Sequence, residues 1–163
     1  MYNDTVDRFL NIIGNPEEIK RQIKESAMRR GFGSNSTNTT KLHLLKEIGE
    51  MVKEWDDQTT NMGTSDGDGK PIGFWSEFAD VIILCISGQE LYVWKLGDSI
   101  HGISGRHRDL FLQVFNYANK CEARNCVAHT MIEWLFLHHD IIFIDKVANE
   151  FKRKIEYNKI RKD

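Results

Sequence analysis

Two short stretches, KEIGE and SEFAD, carry four carboxylates at matched spacing: Glu47 and Glu50 are three residues apart, and so are Glu77 and Asp80. Residues three apart on a helix share a face. Glu47 and Glu50 border an apolar stripe of Leu44, Ile48, Met51 and Trp55, so they lie beside a core face rather than opposite it, and Glu54 continues their row. Glu77 and Asp80 stand among Phe74, Phe78, Val81, Ile82 and Cys85, in a segment apolar over most of its circumference. Ionised carboxylates taken out of water cost several kcal/mol unless compensated, and several close together raise one another's pKa values. Two remedies exist. One is ion pairing with lysines or arginines of the basic terminal helix. The other is a divalent cation, for which an all-oxygen donor set suits Mg2+, with Mn2+ as the second choice. No histidine follows any of the four acids at i+3, so the Glu-x-x-His signature of di-iron bundles is missing. An E-x-x-E pair alone usually marks a solvated helix face. The E-x-x-D pair inside an apolar helix is the rarer feature, and the two together form a constellation that neither forms alone.

The elements that must position these acids are helices. DTVDRFLNII reads as a first short helix closed by Gly14-Asn15-Pro16. PEEIKRQIKESAMRR comes next, with proline at its first turn, acids at its start and bases at its end, the order that suits the helix dipole. RGFGSNSTNTT reads as a loop whose threonines cap the next helix. Helices are then expected over 41–57 and from 74 to about 94, separated by the Gly- and Asp-rich loop QTTNMGTSDGDGKPIG. A further helical region is expected from about 106 to 138, broken near Asn119 to Asn125, and a last helix from about 140 to 161. Period-2 strand patterns are scarce, so the class is all-α and the architecture a helical bundle. One domain over 1–163 is expected, with N-terminal helices in 1–40 and an additional helical segment in 98–139.

The bulk composition narrows the function classes. A formal net charge of −2 argues against general binding of a nucleic-acid polymer, which needs a basic surplus. No apolar run approaches the ~20 residues that span a bilayer. The start MYNDTVDRFL lacks the basic and apolar regions of a signal peptide. Three cysteines, an odd number without a framework pattern, fit a reduced, cytoplasmic protein.

KEIGE and then SEFAD, with 26 residues between Glu50 and Glu77, resembles the E-x-x-E…E-x-x-D signature of the all-α nucleoside triphosphate pyrophosphatases, the superfamily of MazG-like proteins and dimeric dUTPases. In the terminal helix, Lys154, Asn158 and Arg161 of KIEYNKIR match the K-x-x-x-N-x-x-R pattern often found there in MazG-like proteins. The resemblance covers about 41–94 and 140–161 and leaves 1–40 and 98–139 unexplained. It implies a helical bundle assembled as a homodimer or homotetramer. It implies Mg2+ held by Glu47, Glu50, Glu77 and Asp80, and hydrolysis of a (d)NTP to the monophosphate and pyrophosphate. Lys154 and Arg161 would bind phosphates, and Asn158 would contact substrate or fix the site. Where many members carry a further acid before the first glutamate, this chain has Lys46.

Such chemistry needs a base to orient and deprotonate a water, and Glu47 or Glu50 is the candidate. It also needs a surface for the nucleobase. Trp55 and Trp75 flank the acid pairs and are candidates for stacking, although a tryptophan at such a position is more often core. Rival readings are a dimeric dUTPase-type enzyme, a catalytically inactive helical interaction module of the same fold, and an ion-paired acidic bundle with no metal. Other motifs carry less. Cys121, Cys126 and His129 lack the fourth ligand of a structural zinc site. GISGRHRD lacks the pattern of a phosphate-binding P-loop, and His138-His139 has no partner legible in the sequence.

Overall fold

The computed structural model describes residues 4–31, 37–55, 62–88, 104–120 and 124–161, and all its regular structure is helical. The elements are α1 (Asp4–Leu10), α2 (Pro16–Arg29), α3 (Thr37–Glu54), α4 (Phe74–Ser87), α5 (His107–Lys120), α6 (Arg124–His138) and α7 (Ile141–Ile160). No helix among them is long and apolar enough to cross a membrane.

The ends of α2 and α7 arise from local chemistry. Asn15 caps α2 by accepting the Glu18 N–H at 3.1 Å, with Pro16 in the first turn, and Asp140 caps α7 by accepting the Phe143 N–H at 2.8 Å. Both side chains satisfy amide donors that have no partner within the helix. Elsewhere the boundaries differ from those expected. α1 stops at Leu10, and Asn11–Ile13 form a turn. α3 starts at Thr37, so the four residues expected in a capping loop form its first turn instead. Threonine's weak helix propensity is overridden once the apolar stripe of α3 is anchored. α4 ends at Ser87, where Gly88 turns extended (φ −59°, ψ 138°); the remainder of the expected helix, 89–94, lies outside the described residues. α5 runs to Lys120 and α6 begins at Arg124; residues 121–123, inside the expected interruption, lie outside the described residues.

α4 is the central helix, packed against α2, α3, α6 and α7. Its near-continuous apolar surface requires neighbours on most sides, and Phe74, Trp75, Phe78, Val81 and Ile82 are all buried. α5 and α6 pack on each other, and also on α3 and α4 respectively, so this segment contributes to the same core. Residues 62–73 form an ordered turn ahead of α4. Ser65 and Pro71 make an isolated bridge, and the Asp66 carboxylate accepts the N–H groups of Asp68 and Lys70 at 2.9 and 3.0 Å. Gly73, at φ +104°, lets the chain enter α4, a conformation that glycine adopts without a Cβ penalty. Arg153 of α7 ties the turn down, donating to the Thr64 carbonyl at 3.1 Å and to Ser65 Oγ at 2.7 Å. Buried Glu150 accepts the Gly63 N–H and pairs with the same arginine.

Candidate metal centre and adjoining cleft

Because α3 and α4 lie side by side, their acid-bearing faces meet. Glu47 of α3 and Glu77 and Asp80 of α4 each offer a carboxylate oxygen such that all three atoms lie within 4.8 Å of one another. That is a separation a single cation can bridge, and the oxygen-only set is the kind that Mg2+ or Mn2+ takes. One Glu77 oxygen, Oε2, is buried without a hydrogen-bond partner among the described residues, and an unsatisfied carboxylate oxygen is costly unless something positive reaches it. The residues present therefore fit a divalent cation.

The electrostatics report the crowding. Burial, then the Asp80 charge, push Glu77 from 4.5 up to about 7, with Glu47 and Glu50 adding to the rise and Lys154 opposing it. Burial likewise raises Asp80, against the pull of Lys154. Glu47 is also buried enough to be pushed upward, but its hydrogen bond to His43 and the charges of His43, Lys46 and Lys154 outweigh that, and its net shift is downward. His43 Nε2 lies 3.4 Å from Glu47 Oε1, one turn earlier on α3.

The other expected site residues divide. Glu50 is outside the three-acid set; its side chain is 45% exposed and its Oε1 is 3.9 Å from Lys46 Nζ. Lys154 is wholly buried, with Nζ 2.9 Å from Asp80 Oδ2 and 3.5 Å from Ser76 Oγ. Asn158 is buried, and its Oδ1 lies 3.5 Å from an Arg161 guanidinium nitrogen at the end of α7. Trp55 and Trp75 are engaged with other rings. Trp75 is 2% exposed and packs edge-on against Phe74 and Phe143; Trp55 stacks on His107 with centroids 3.7 Å apart. Both tryptophans pack against neighbouring rings, Trp75 inside the core and Trp55 partly buried at its edge. Of the cysteine–histidine motif, Cys121 and the Cys126 side chain lie outside the described residues.

A cleft of about 580 Å3, counted to its open mouth, runs between α2, α3, α4 and α7. Glu47, Asp80 and His43 lie on its wall together with Asn158, Arg161 and Arg30, and Ile23, Ile83, Leu84 and Ile155 supply apolar surface. Sequence reasoning missed the α2 wall and His43. The i, i+4 spacing of His43 and Glu47 was the available signal, whereas nothing local announces that the end of α2 docks beside α7. There Arg29 donates to the carbonyls of Asn158 and Arg161. No family model matches the chain, and no curated protein or solved structure matches it either.

The unequal placement of the α3 acids has a measurable consequence. Glu47→Gln is expected to weaken Mn2+ binding at least about tenfold, since it removes a converging charged ligand. Glu50→Gln is expected to weaken it only a few-fold. Competition titration against a fluorescent chelator checks the difference, and equal losses would put Glu50 in the ligand set.

Proposed function

We propose that this chain is a divalent-metal-dependent nucleoside triphosphate pyrophosphohydrolase of the all-α, MazG-like type, converting a (d)NTP and water to the monophosphate and pyrophosphate and acting as a homo-oligomer. The observation that carries this reading is the convergence of Glu47, Glu77 and Asp80 from two helices, with Glu47 and Asp80 lining a cleft whose wall also bears Arg30 and Arg161. A triphosphate is a polyanion that reaches a carboxylate-lined pocket only with its charge partly neutralised. A bound Mg2+ or Mn2+ supplies that neutralisation and polarises a phosphoryl oxygen.

The chain's own residues account for the rest. Glu47, Glu77 and Asp80 would hold the cation. Arg30 and Arg161 present positive charge to phosphate or leaving-group oxygens along the cleft. Glu50, half exposed and outside the convergence, is the carboxylate best suited to orient and deprotonate the attacking water. The water oxygen forms a bond to phosphorus as the bridging P–O bond breaks, and pyrophosphate departs from the monophosphate. Ile23, Ile83 and Leu84 form the apolar side that a base or sugar would cover.

A second reading draws on a different observation. The Lys154–Asp80 pair at 2.9 Å is what an ion-paired acidic bundle without metal would contain. His43 answers Glu47 as well, but one Glu77 oxygen stays buried without a hydrogen-bond partner among the described residues, which an ion-paired bundle leaves unexplained. Incubation with each NTP and dNTP, in Mg2+ and in EDTA, separates the two. Metal-dependent pyrophosphate release supports the enzyme, and a dUTP-only profile selects the dUTPase branch. A folded protein that turns over no nucleotide is a binding module.

A further inference from the structure

Lys154 stands apart from every other basic residue near the cleft. It has no solvent exposure at all, and it is not among the residues lining the cleft. Its ammonium is held from two sides, by Asp80 Oδ2 at 2.9 Å and Ser76 Oγ at 3.5 Å, and Ser76 in turn donates to the Pro71 carbonyl at 3.0 Å. An ammonium shut away from water survives only where a carboxylate compensates it. Asp80 has the reciprocal problem, with Glu47 and Glu77 within 4.8 Å. Lys154 is therefore placed to act on the acid cluster and not on a group in the cleft. Its charge reaches beyond its direct partner, since it pulls downward on the carboxyls of Glu47 and Glu77 as well.

We propose that Lys154 is a resident counter-cation for Asp80, a positioning residue that neutralises the cluster in the metal-free protein and thereby holds divalent-metal affinity down. The inference rests on the reading of Glu47, Glu77 and Asp80 as a metal site. A cation arriving at the cluster meets three acids, one already paired, so the net negative charge that attracts it is smaller by one unit. Removing that unit of positive charge leaves the metal-free chain with an uncompensated, mostly buried Asp80, and makes the site a stronger cation trap. Stability without metal and affinity for metal thus move in opposite directions. A lysine that touches phosphate would change neither in this way.

The test uses the full chain with Lys154→Met, Asp80→Asn and the double variant. Thermal unfolding is measured in EDTA and in Mn2+, and Mn2+ affinity is taken from the free-ion paramagnetic resonance signal. Lys154→Met is expected to lower the metal-free melting temperature, to gain more from Mn2+ than wild type does, and to bind Mn2+ at least about tenfold more tightly, since a unit charge a few ångströms from a divalent ion is worth that much even under full water screening. The double variant, with both charges removed, is expected to melt above Lys154→Met in EDTA. Should Lys154→Met fail to fold in EDTA, the double variant decides: a folded one supports the counter-cation role and an unfolded one overturns it. Unchanged or weakened Mn2+ binding in a folded Lys154→Met overturns the proposal while leaving the metal site standing. Wild-type protein that binds no Mn2+ overturns both.

Discussion

Glu77→Gln is expected to stabilise the metal-free protein at alkaline pH and, in the same molecule, to cost it the metal-dependent turnover proposed above. The Glu77 carboxyl is raised from 4.5 to about 7, chiefly by burial and then by the Asp80 charge. A raised carboxyl means that the folded state holds a proton the unfolded state has released. Stability contributed by this group therefore falls as pH climbs from about 4.5 to about 7, and stays low above that. Asp80 shifts in the same direction and adds to the loss. Glu47, shifted down, works the other way and loses stability as pH falls. Glutamine at 77 removes one of the two upward-shifted charges of the cluster, and Glu77 is only half-buried, so solvent screening reduces the gain to about 1–2 kcal/mol at pH 8 in EDTA.

With Mg2+ present the proposed metal site predicts the reverse order, because wild type would exchange the repulsion for a bound cation and the glutamine variant would lack a ligand. Turnover is expected to fall at least about a hundredfold, the scale of losing a few kcal/mol of charge stabilisation. Urea unfolding at pH 5 and pH 8, each in EDTA and in Mg2+, resolves the four corners. A variant no more stable than wild type at pH 8 without metal would mean that the Glu77 charge is already compensated, and the electrostatic account of the site would fail.

Trp75→Ala will cost about 3–5 kcal/mol, the usual loss on emptying a large aromatic position in a packed core. Trp75 is 2% exposed and contacts Phe74, Phe78, His139 and Phe143 from several sides. A loss of that size approaches the whole stability of a typical domain, so the alanine protein is expected to be largely unfolded near 37 °C. Trp75→Phe separates packing from ligand contact. The indole Nε1 has no hydrogen-bond partner among the described residues, so phenylalanine forfeits volume but no bond and is expected to cost far less. KM for a nucleotide turned over as proposed should remain within about twofold of wild type, because the ring does not line the cleft. A large rise in KM with stability intact would return Trp75 to a stacking role. Differential scanning calorimetry together with steady-state kinetics on the phenylalanine variant provides both readouts.

The acid pairs illustrate how far a sequence can be read. Spacing of three, in a helix of 3.6 residues per turn, places Glu47 with Glu50 and Glu77 with Asp80 on common faces, and the structure retains both relations. The same spacing leaves about 60° between the two members of each pair. Which member of the α3 pair meets α4 is therefore a matter of how α3 is rotated about its axis, and that rotation is set by packing of Leu44, Ile48 and Met51. Glu47 turns inward and Glu50 stays half exposed. Lys154 shows the same limit. Its helix and its charge were evident, but a lysine at the boundary of an apolar face can extend to water or turn inward, and only the proximity of α7 to α4 selects Asp80.

By itself the sequence determined the all-α class, the approximate helices, and the faces on which acids and apolar residues fall, because these depend on periodicities of a few residues along one chain segment. Tertiary structure alone decided that three of the four acids converge, that the lysine is sealed against one of them, that the tryptophans serve the core, and that α2 closes one wall of the cleft. Those are distances between helices far apart in sequence, fixed by how whole apolar surfaces interlock and by which charges must find partners once water is excluded.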